Sequence, residues 1–390
     1  MPFYVQKGSI PQKRHITFYK PDGKSLYREE LFSTSGFSGI YSNRYRLRMP
    51  TRVLKIEEQN LPKPEPWKNV PLKWHLFHTE RYEAPKGDFF SARENLLWND
   101  HIWISTAKPS KASDAFYKNA FAHELIFVHK GQGIFWSEFG QISFTPGDYL
   151  VIPKGTIYTL EFQDYTDTKL LIIESPDMFS IPKEYRNSYG QLREDAPYCE
   201  RDLRPPEYFK PFDQKGEFKV KLKVGGKLSI QTWDHHPYDV IGWDGYEYPF
   251  AFHIDNFAAK VGQIHLPPPV HLVFSTPHFV VCNFVPRLFD FHPQAIPAPY
   301  FHTNVDSDEV LYYVDGEFMS RKGIEKGSIT LHPMGLPHGP QPGKTEASVG
   351  QTKTHEYAVM IDTFAPLNIA SIVETLSDSN YSKSWLEEVN

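Results

Sequence analysis

Two stretches of this chain repeat one spacing of glycine, proline and chemically active positions, and a duplicated unit constrains the fold more tightly than any local propensity. In the later copy His302 is followed seven positions on by Glu309 and seven further by Gly316, and Gly327 precedes Pro333, Gly335 and His338 by six, eight and eleven. The earlier copy reads Tyr117, Glu124, Gly131, then Gly147, Pro153, Gly155 and Tyr158 at the same intervals, and Asn119 matches Asn304. The turn residues are kept in both copies, whereas the imidazoles stand in one and phenols in the other. Chemistry is therefore expected in the second half, and Glu124 is expected to be a structural carboxylate in a first unit without metal.

The chain has 390 residues, enough for two domains or a fused double barrel with a sizeable core. A net charge of −5, with no long run of either sign, gives no footprint for nucleic acid or anionic lipid. Cys199 and Cys282 are the only cysteines, too few for a disulfide framework or a thiolate metal cage, and they fit a reducing compartment. No stretch has the length and apolarity of a membrane span, and Met1 to Arg14 lacks the apolar core of a signal peptide. A cytoplasmic protein without membrane or nucleic-acid partners is the expectation.

Thirty-three prolines and twenty-four glycines are scattered along the chain and break it into short segments. Strands are predicted at Glu124 to His129, Gln141 to Phe144, Tyr149 to Ile152, Leu170 to Ile173, Phe279 to Phe284, Val310 to Val314 and Ser328 to Leu331. Lys219 to Val224, Gly225-Gly226 and Lys227 to Trp233 read as a hairpin, with Lys219, Lys221 and Lys223 on a solvated face. Evenly spaced short strands in two similar units indicate an all-β chain of two jelly rolls. The apolar stripe of Leu367, Ile369, Ala370, Ile372, Val373 and Leu376 predicts one or two helices over Pro366 to Glu388. The divisions expected are 1–240, 241–365 and a helical tail, 366–390; Ser175 to Pro211 should wrap one unit onto the other.

Two histidines and a carboxylate, His302, Glu309 and His338, leave about half of an octahedral shell open, the pattern associated with non-haem Fe(II) oxygenases. Zinc or manganese also suits such a set. His332 either moves protons or orients a ligand from behind. Gly131-Gln132-Gly133 lacks the third glycine of a dinucleotide loop, and His235-His236, adjacent on a strand, point to opposite faces.

These motifs resemble those of a cupin family, the homogentisate 1,2-dioxygenases. The resemblance is carried by Pro299-Tyr300-Phe301-His302-x-Asn304, Glu309, Leu331-His332 and Pro337-His338-Gly339-Pro340. It extends to Tyr27-x-Glu29-x-Leu31, Tyr45-Arg46, Trp243-x-Gly245, Asn380-Tyr381 and Trp385. It implies a bicupin with Fe(II) held by His302, Glu309 and His338, with His265 as the acid–base histidine and Tyr300, His332 and His338 meeting the substrate. It also implies a small aromatic acid and O2 as reactants, ring cleavage of a 1,4-dihydroxybenzene in tyrosine and phenylalanine catabolism, and a homo-oligomer, trimer or hexamer. The chain departs from the family at Thr303, where an arginine is usual, and at Phe318, where a tyrosine is usual. One residue is inserted between His302 and Glu309, which makes Asp308 a rival ligand. A related hydroquinone or gentisate-like acid as substrate, a zinc or manganese cupin isomerase or hydrolase, and a non-enzymatic bicupin are the alternatives.

Overall fold

A computed structural model describes residues 3–318 and 320–386. Its architecture is all-β: two barrel-like units back to back, with a four-stranded N-terminal sheet against the first. The predicted strands all form, most of them longer by one to three residues, as in His123–Lys130, Lys169–Ser175 and Asp308–Asp315.

The first unit packs a seven-stranded sheet against an eight-stranded one. Strand His123–Lys130 explains why its sequence reads as an unbroken apolar run. Ile126 and Val128 face the interior of the first barrel with Phe135, Tyr158 and Leu160, while Leu125 and Phe127 face the other unit. A sheet covered on both sides has no polar face to show, so alternation is lost.

The second unit is built on one six-stranded sheet, ordered Leu272–Ser275, Phe279–Phe284, Tyr357–Thr363, Asp308–Asp315, Ile329–His332 and His75–Phe77. One face supplies Val281, Val310, Tyr312, Val359 and Ile361 to the core shared with the first unit. The opposite face lines a cavity roofed by a two-stranded ribbon, Arg287–Leu288 with Lys353–Thr354, and by a bridge between His302 and His338. Strands Val240–Gly245 and Phe250–His253 pair with Tyr41–Arg46 and Asp148–Ile152, so residues as far as 253 still belong to the first body, apart from His75–Phe77, which adds to the edge of the second sheet.

The duplication is visible atom by atom. Tyr117 pairs with Tyr158 as His302 pairs with His338. Gly155 N–H donates to the Asn119 carbonyl and Gly335 N–H to the Asn304 carbonyl, both at 2.7 Å. Gly131, Gly147 and Gly155 have φ of 93°, 94° and 88°, and Gly316, Gly327 and Gly335 have 100°, 79° and 78°. These are left-handed conformations that glycine adopts without steric cost, which is why these positions persist where the imidazoles do not.

One expectation is met on a small scale and one needs correction. The helical segment expected near the C-terminus is limited, among the described residues, to two short 3-10 helices, Ser371–Leu376 and Tyr381–Lys383, which follow Asn368–Ile369, a short strand on the edge of Arg93–Trp98. The sheet edge captures the backbone, since Ala370 N–H donates to the Leu96 carbonyl, while Ala370 and Val373 bury their side chains. Residues 387 and 388 of that stretch lie outside the described residues. The hairpin Lys215–Val224 with Lys227–His235 forms, but only Lys219 of its three lysines is exposed. Lys221 pairs with Asp88 and Asp114, and Lys223 with Glu174, because the hairpin packs beside Phe116–Asn119 instead of standing free. The Ser175 to Pro211 segment wraps as anticipated: Ser180 bridges Ser275, and the Tyr185 and Tyr198 hydroxyls donate to the Leu272 and Val273 carbonyls.

Candidate metal centre

Glu309 is the second residue of Asp308–Asp315 and lies opposite His332 on one neighbouring strand and Asp362 on the other. His302 and His338 come from the loops above this strand, locked to each other by two backbone hydrogen bonds of 2.9 Å. Glu309 Oε2 stands 3.7 Å from His302 Nε2 and 3.4 Å from His338 Nε2, and the imidazole centroids are 4.3 Å apart.

Each imidazole is oriented from behind. His302 Nδ1 lies 3.2 Å from the Tyr300 carbonyl and His338 Nδ1 3.1 Å from the Leu336 carbonyl. A carbonyl accepts only, so Nδ1 carries the proton and Nε2 presents its lone pair inward, as a metal-ligating histidine requires. His338 Nε2 is buried without a hydrogen-bond partner. An orphaned buried acceptor between a second imidazole and a carboxylate fits a divalent cation well, since a cation satisfies all three at once.

Burial alone would raise the Glu309 carboxyl, but the imidazoles of His302, His332 and His338 around it outweigh burial and hold it well below the usual range. His302 is raised, chiefly by Glu309. His332 is fully buried, with Nδ1 2.7 Å from Glu309 Oε1 and Nε2 3.1 Å from the Tyr381 hydroxyl. Its burial lowers it to about 4, so it is neutral. The expectation that His332 meets the substrate gives way to the alternative role, because no face of its ring is open and its contacts orient the Glu309 carboxylate. Asp308 is no ligand: its two oxygens accept from the Met334 and Leu367 backbone N–H groups, at 2.8 Å each.

Beside the triad opens a cavity of about 370 Å³. Its mouth carries His265 and Tyr300, rings edge to face at 5.0 Å, and His265 Nδ1 is 3.3 Å from Asp290. Three polar residues of the wall escaped sequence reasoning. Asp362 is pushed up to about 7 by burial and then by Glu309 beside it. Arg321 donates to the carbonyl of Gly339, next to His338, at 2.6 Å. Arg287 lies further out. The available signal for Asp362 was an acidic residue closing the apolar run Ala358 to Ile361; neither arginine had one.

Around Glu124 the first unit carries a different solution. Tyr158 donates to it at 2.7 Å and Arg93 at 2.8 Å, with Arg93 also 3.3 Å from Glu174. A guanidinium supplies the positive charge that balances these buried carboxylates. His101, Asp177 and His278 form another cluster, but the two rings stack face to face at 3.5 Å and 12°, so their in-plane lone pairs run parallel and do not converge.

Fold and site together define a bicupin whose second barrel carries a two-histidine, one-carboxylate centre open on one side. Models of the N-terminal and C-terminal parts of homogentisate 1,2-dioxygenase match residues 95–254 and 269–389, and the chain belongs to that family of dioxygenases. It is 42% identical to "Putative dioxygenase SSO1533" of Saccharolobus solfataricus over 99% of both chains. It is 29% identical to the homogentisate 1,2-dioxygenase of Rhodopseudomonas palustris, covering 73% of this chain and 65% of that protein. For the mouse homogentisate 1,2-dioxygenase the figures are 25% identity, 80% and 75%. No described helix is long and apolar enough to cross a membrane.

Proposed function

We propose that the protein is an Fe(II)-dependent ring-cleaving dioxygenase of 1,4-dihydroxybenzene acids, with homogentisate, converted to maleylacetoacetate, as the leading substrate. The observation that carries this reading is the convergence of two Nε2 lone pairs and one carboxylate at the inner end of a mostly apolar cavity. His302, Glu309 and His338 would hold the iron, which would supply coordination for an organic ligand and O2 and a route for electrons between them.

The chain's own residues account for the rest. His332 and Tyr381 fix Glu309 from behind. His265, at the mouth and paired with Asp290, takes the proton from one substrate hydroxyl, and Tyr300 holds the His265 ring by an edge-to-face contact. Leu311, Met360 and Phe318 on the wall give an aromatic ring an apolar bed and exclude water from the ring that is to be cleaved. Both atoms of O2 enter the ring product, so homogentisate plus O2 balances maleylacetoacetate with no external reductant. This reading places the protein in aromatic amino-acid catabolism in the cytoplasm, as a homo-oligomer.

The test is oxygen uptake by protein loaded anaerobically with Fe(II). One O2 consumed per homogentisate, with both labelled oxygens in one product molecule, supports the reading; no uptake with any hydroquinone acid or gentisate refutes it.

A further inference from the structure

The hydrogen bonds behind Glu309 run in one direction. A carboxylate only accepts, so the 2.7 Å contact between Glu309 Oε1 and His332 Nδ1 fixes the ring proton on Nδ1. A second proton on this ring is opposed by burial, by Arg321 nearby and by any cation held at the triad, which leaves Nε2 as an acceptor. The Tyr381 hydroxyl, 3.1 Å away, therefore donates to Nε2. Its oxygen in turn is hydrogen-bonded by Arg321, a guanidinium that can only donate. The order is Arg321 to Tyr381 to His332 to Glu309, and all four are buried. Arg321 is tied to the other ligand loop as well: its Nη1 and Trp385 Nε1 both donate to the Gly339 carbonyl, next to His338, at 2.6 and 3.2 Å. The Arg321 guanidinium lies 5.5 Å from the centre of the Trp385 ring, and Gln341 Nε2 donates to Ser384 Oγ at 2.6 Å.

We infer that the C-terminal turn around Tyr381 is a clasp on the metal centre: Arg321 and Tyr381 act through His332 as positioning residues for Glu309, so that metal binding and the ordering of this turn are coupled. The inference rests on the proposed metal site and not on the reaction performed there. Without the Tyr381 hydroxyl, His332 Nε2 becomes a buried acceptor with no partner, and the ring proton is free to shift onto it, which takes the donor away from Glu309. Without Arg321, the Tyr381 oxygen loses the donor that aims its proton at His332, and the Gly339 carbonyl loses the shorter of its two bonds. Tyr381, Ser384 and Trp385 reach His332, Gln341 and Gly339 from one short segment, so undocking that segment undoes all three contacts together. Coupling of this kind is reciprocal: a cation that needs Glu309 in one orientation favours the docked turn, and the docked turn favours the cation.

The experiment compares wild type, Tyr381→Phe, Arg321→Met and the double variant, each titrated with Fe(II) under nitrogen in competition with a chelator. Tyr381→Phe, which removes one oxygen, should weaken Fe(II) binding about 10-fold, and Arg321→Met by at least as much, since it also releases Gly339. Both act along one path, so the double variant should lose little more than Arg321→Met alone. Amide hydrogen exchange gives the reciprocal readout. Fe(II) should slow exchange at Lys383 and Ser384, whose N–H groups donate to the Asn380 and Tyr381 carbonyls, in wild type and not in Tyr381→Phe. Unchanged Fe(II) affinity in Tyr381→Phe, or losses that simply add in the double variant, overturn the relay, and exchange in the turn that ignores Fe(II) overturns the coupling. Tyr381→Phe keeps the test decisive should Arg321→Met fold poorly. Should Tyr381→Phe weaken Fe(II) as expected while wild type consumes no oxygen with any hydroquinone acid, the clasp stands and the dioxygenase reading falls.

Discussion

At the scale of the residue, one atom concentrates the electrostatics of the site. His338 Nε2 is buried without a partner, and it faces a carboxylate that burial opposes and three imidazoles keep charged. His338→Ala keeps the backbone pairing with His302 but deletes that lone pair; bound iron, measured after dialysis, should fall from about one equivalent to near none with an unchanged circular dichroism spectrum. His332→Leu removes the group that orients Glu309 without removing a ligand, so iron affinity should fall about 10- to 100-fold, measured by chelator competition. His302, Glu309 and His338 were legible in the sequence because the repeat fixes their spacing against turn glycines. The partners of His332 were not, since Tyr381 follows it by 49 residues and reaches it only through the wrap of the C-terminal segment. Arg287 and Asp362 were hidden for the same reason: strand register across distant segments places them.

At the scale of the element, the turns that aim the loops are the parts most exposed to single changes. Gly335, at φ 78°, has open space where a Cβ would project, so Gly335→Ala should cost only the backbone strain of a left-handed residue, about 1–2 kcal/mol in chemical denaturation. Gly316, at φ 100°, would drive the same Cβ into the His355 carbonyl oxygen, so Gly316→Ala should lose more than twice as much stability or fail to fold. Equal losses in the two variants would show that φ, and not contact, governs both turns. Strands were readable from apolar runs bounded by these turns, and so was the helical character of the C-terminal segment, but not its first residues, because helical periodicity also fits apolar residues that a sheet edge and two short 3-10 helices bury in succession.

At the scale of the whole molecule, buried charge joins the N-terminal sheet to the first barrel. Arg44 and Arg46 reach Glu30 at 2.7 and 2.5 Å, and both also pair with Glu138. Burial would raise Glu30, but the two guanidiniums outweigh it and lower it from 4.5 to about 2. A depressed carboxylate contributes stability that is complete above the unfolded value and disappears as the folded one is approached. The melting temperature should therefore drop as pH falls from 4.5 toward 2, and Glu30→Gln should be less stable at neutral pH and show a shallower fall across that window. A slope unchanged in Glu30→Gln would remove this cluster from the account of acid sensitivity. No sequence pattern announced the cluster, because it draws residues from Glu30 to Asp239 into one place. The two-unit plan was announced, because duplication leaves its spacing in both halves. The proposed function stands on His302, Glu309 and His338 holding one ferrous ion with coordination room beside it. Electron paramagnetic resonance of Fe(II)-loaded protein exposed anaerobically to nitric oxide tests this most directly. Wild type should give a high-spin iron–nitrosyl signal that is lost in His338→Ala. No such signal in iron-loaded wild type, or one that survives the substitution, would contradict it.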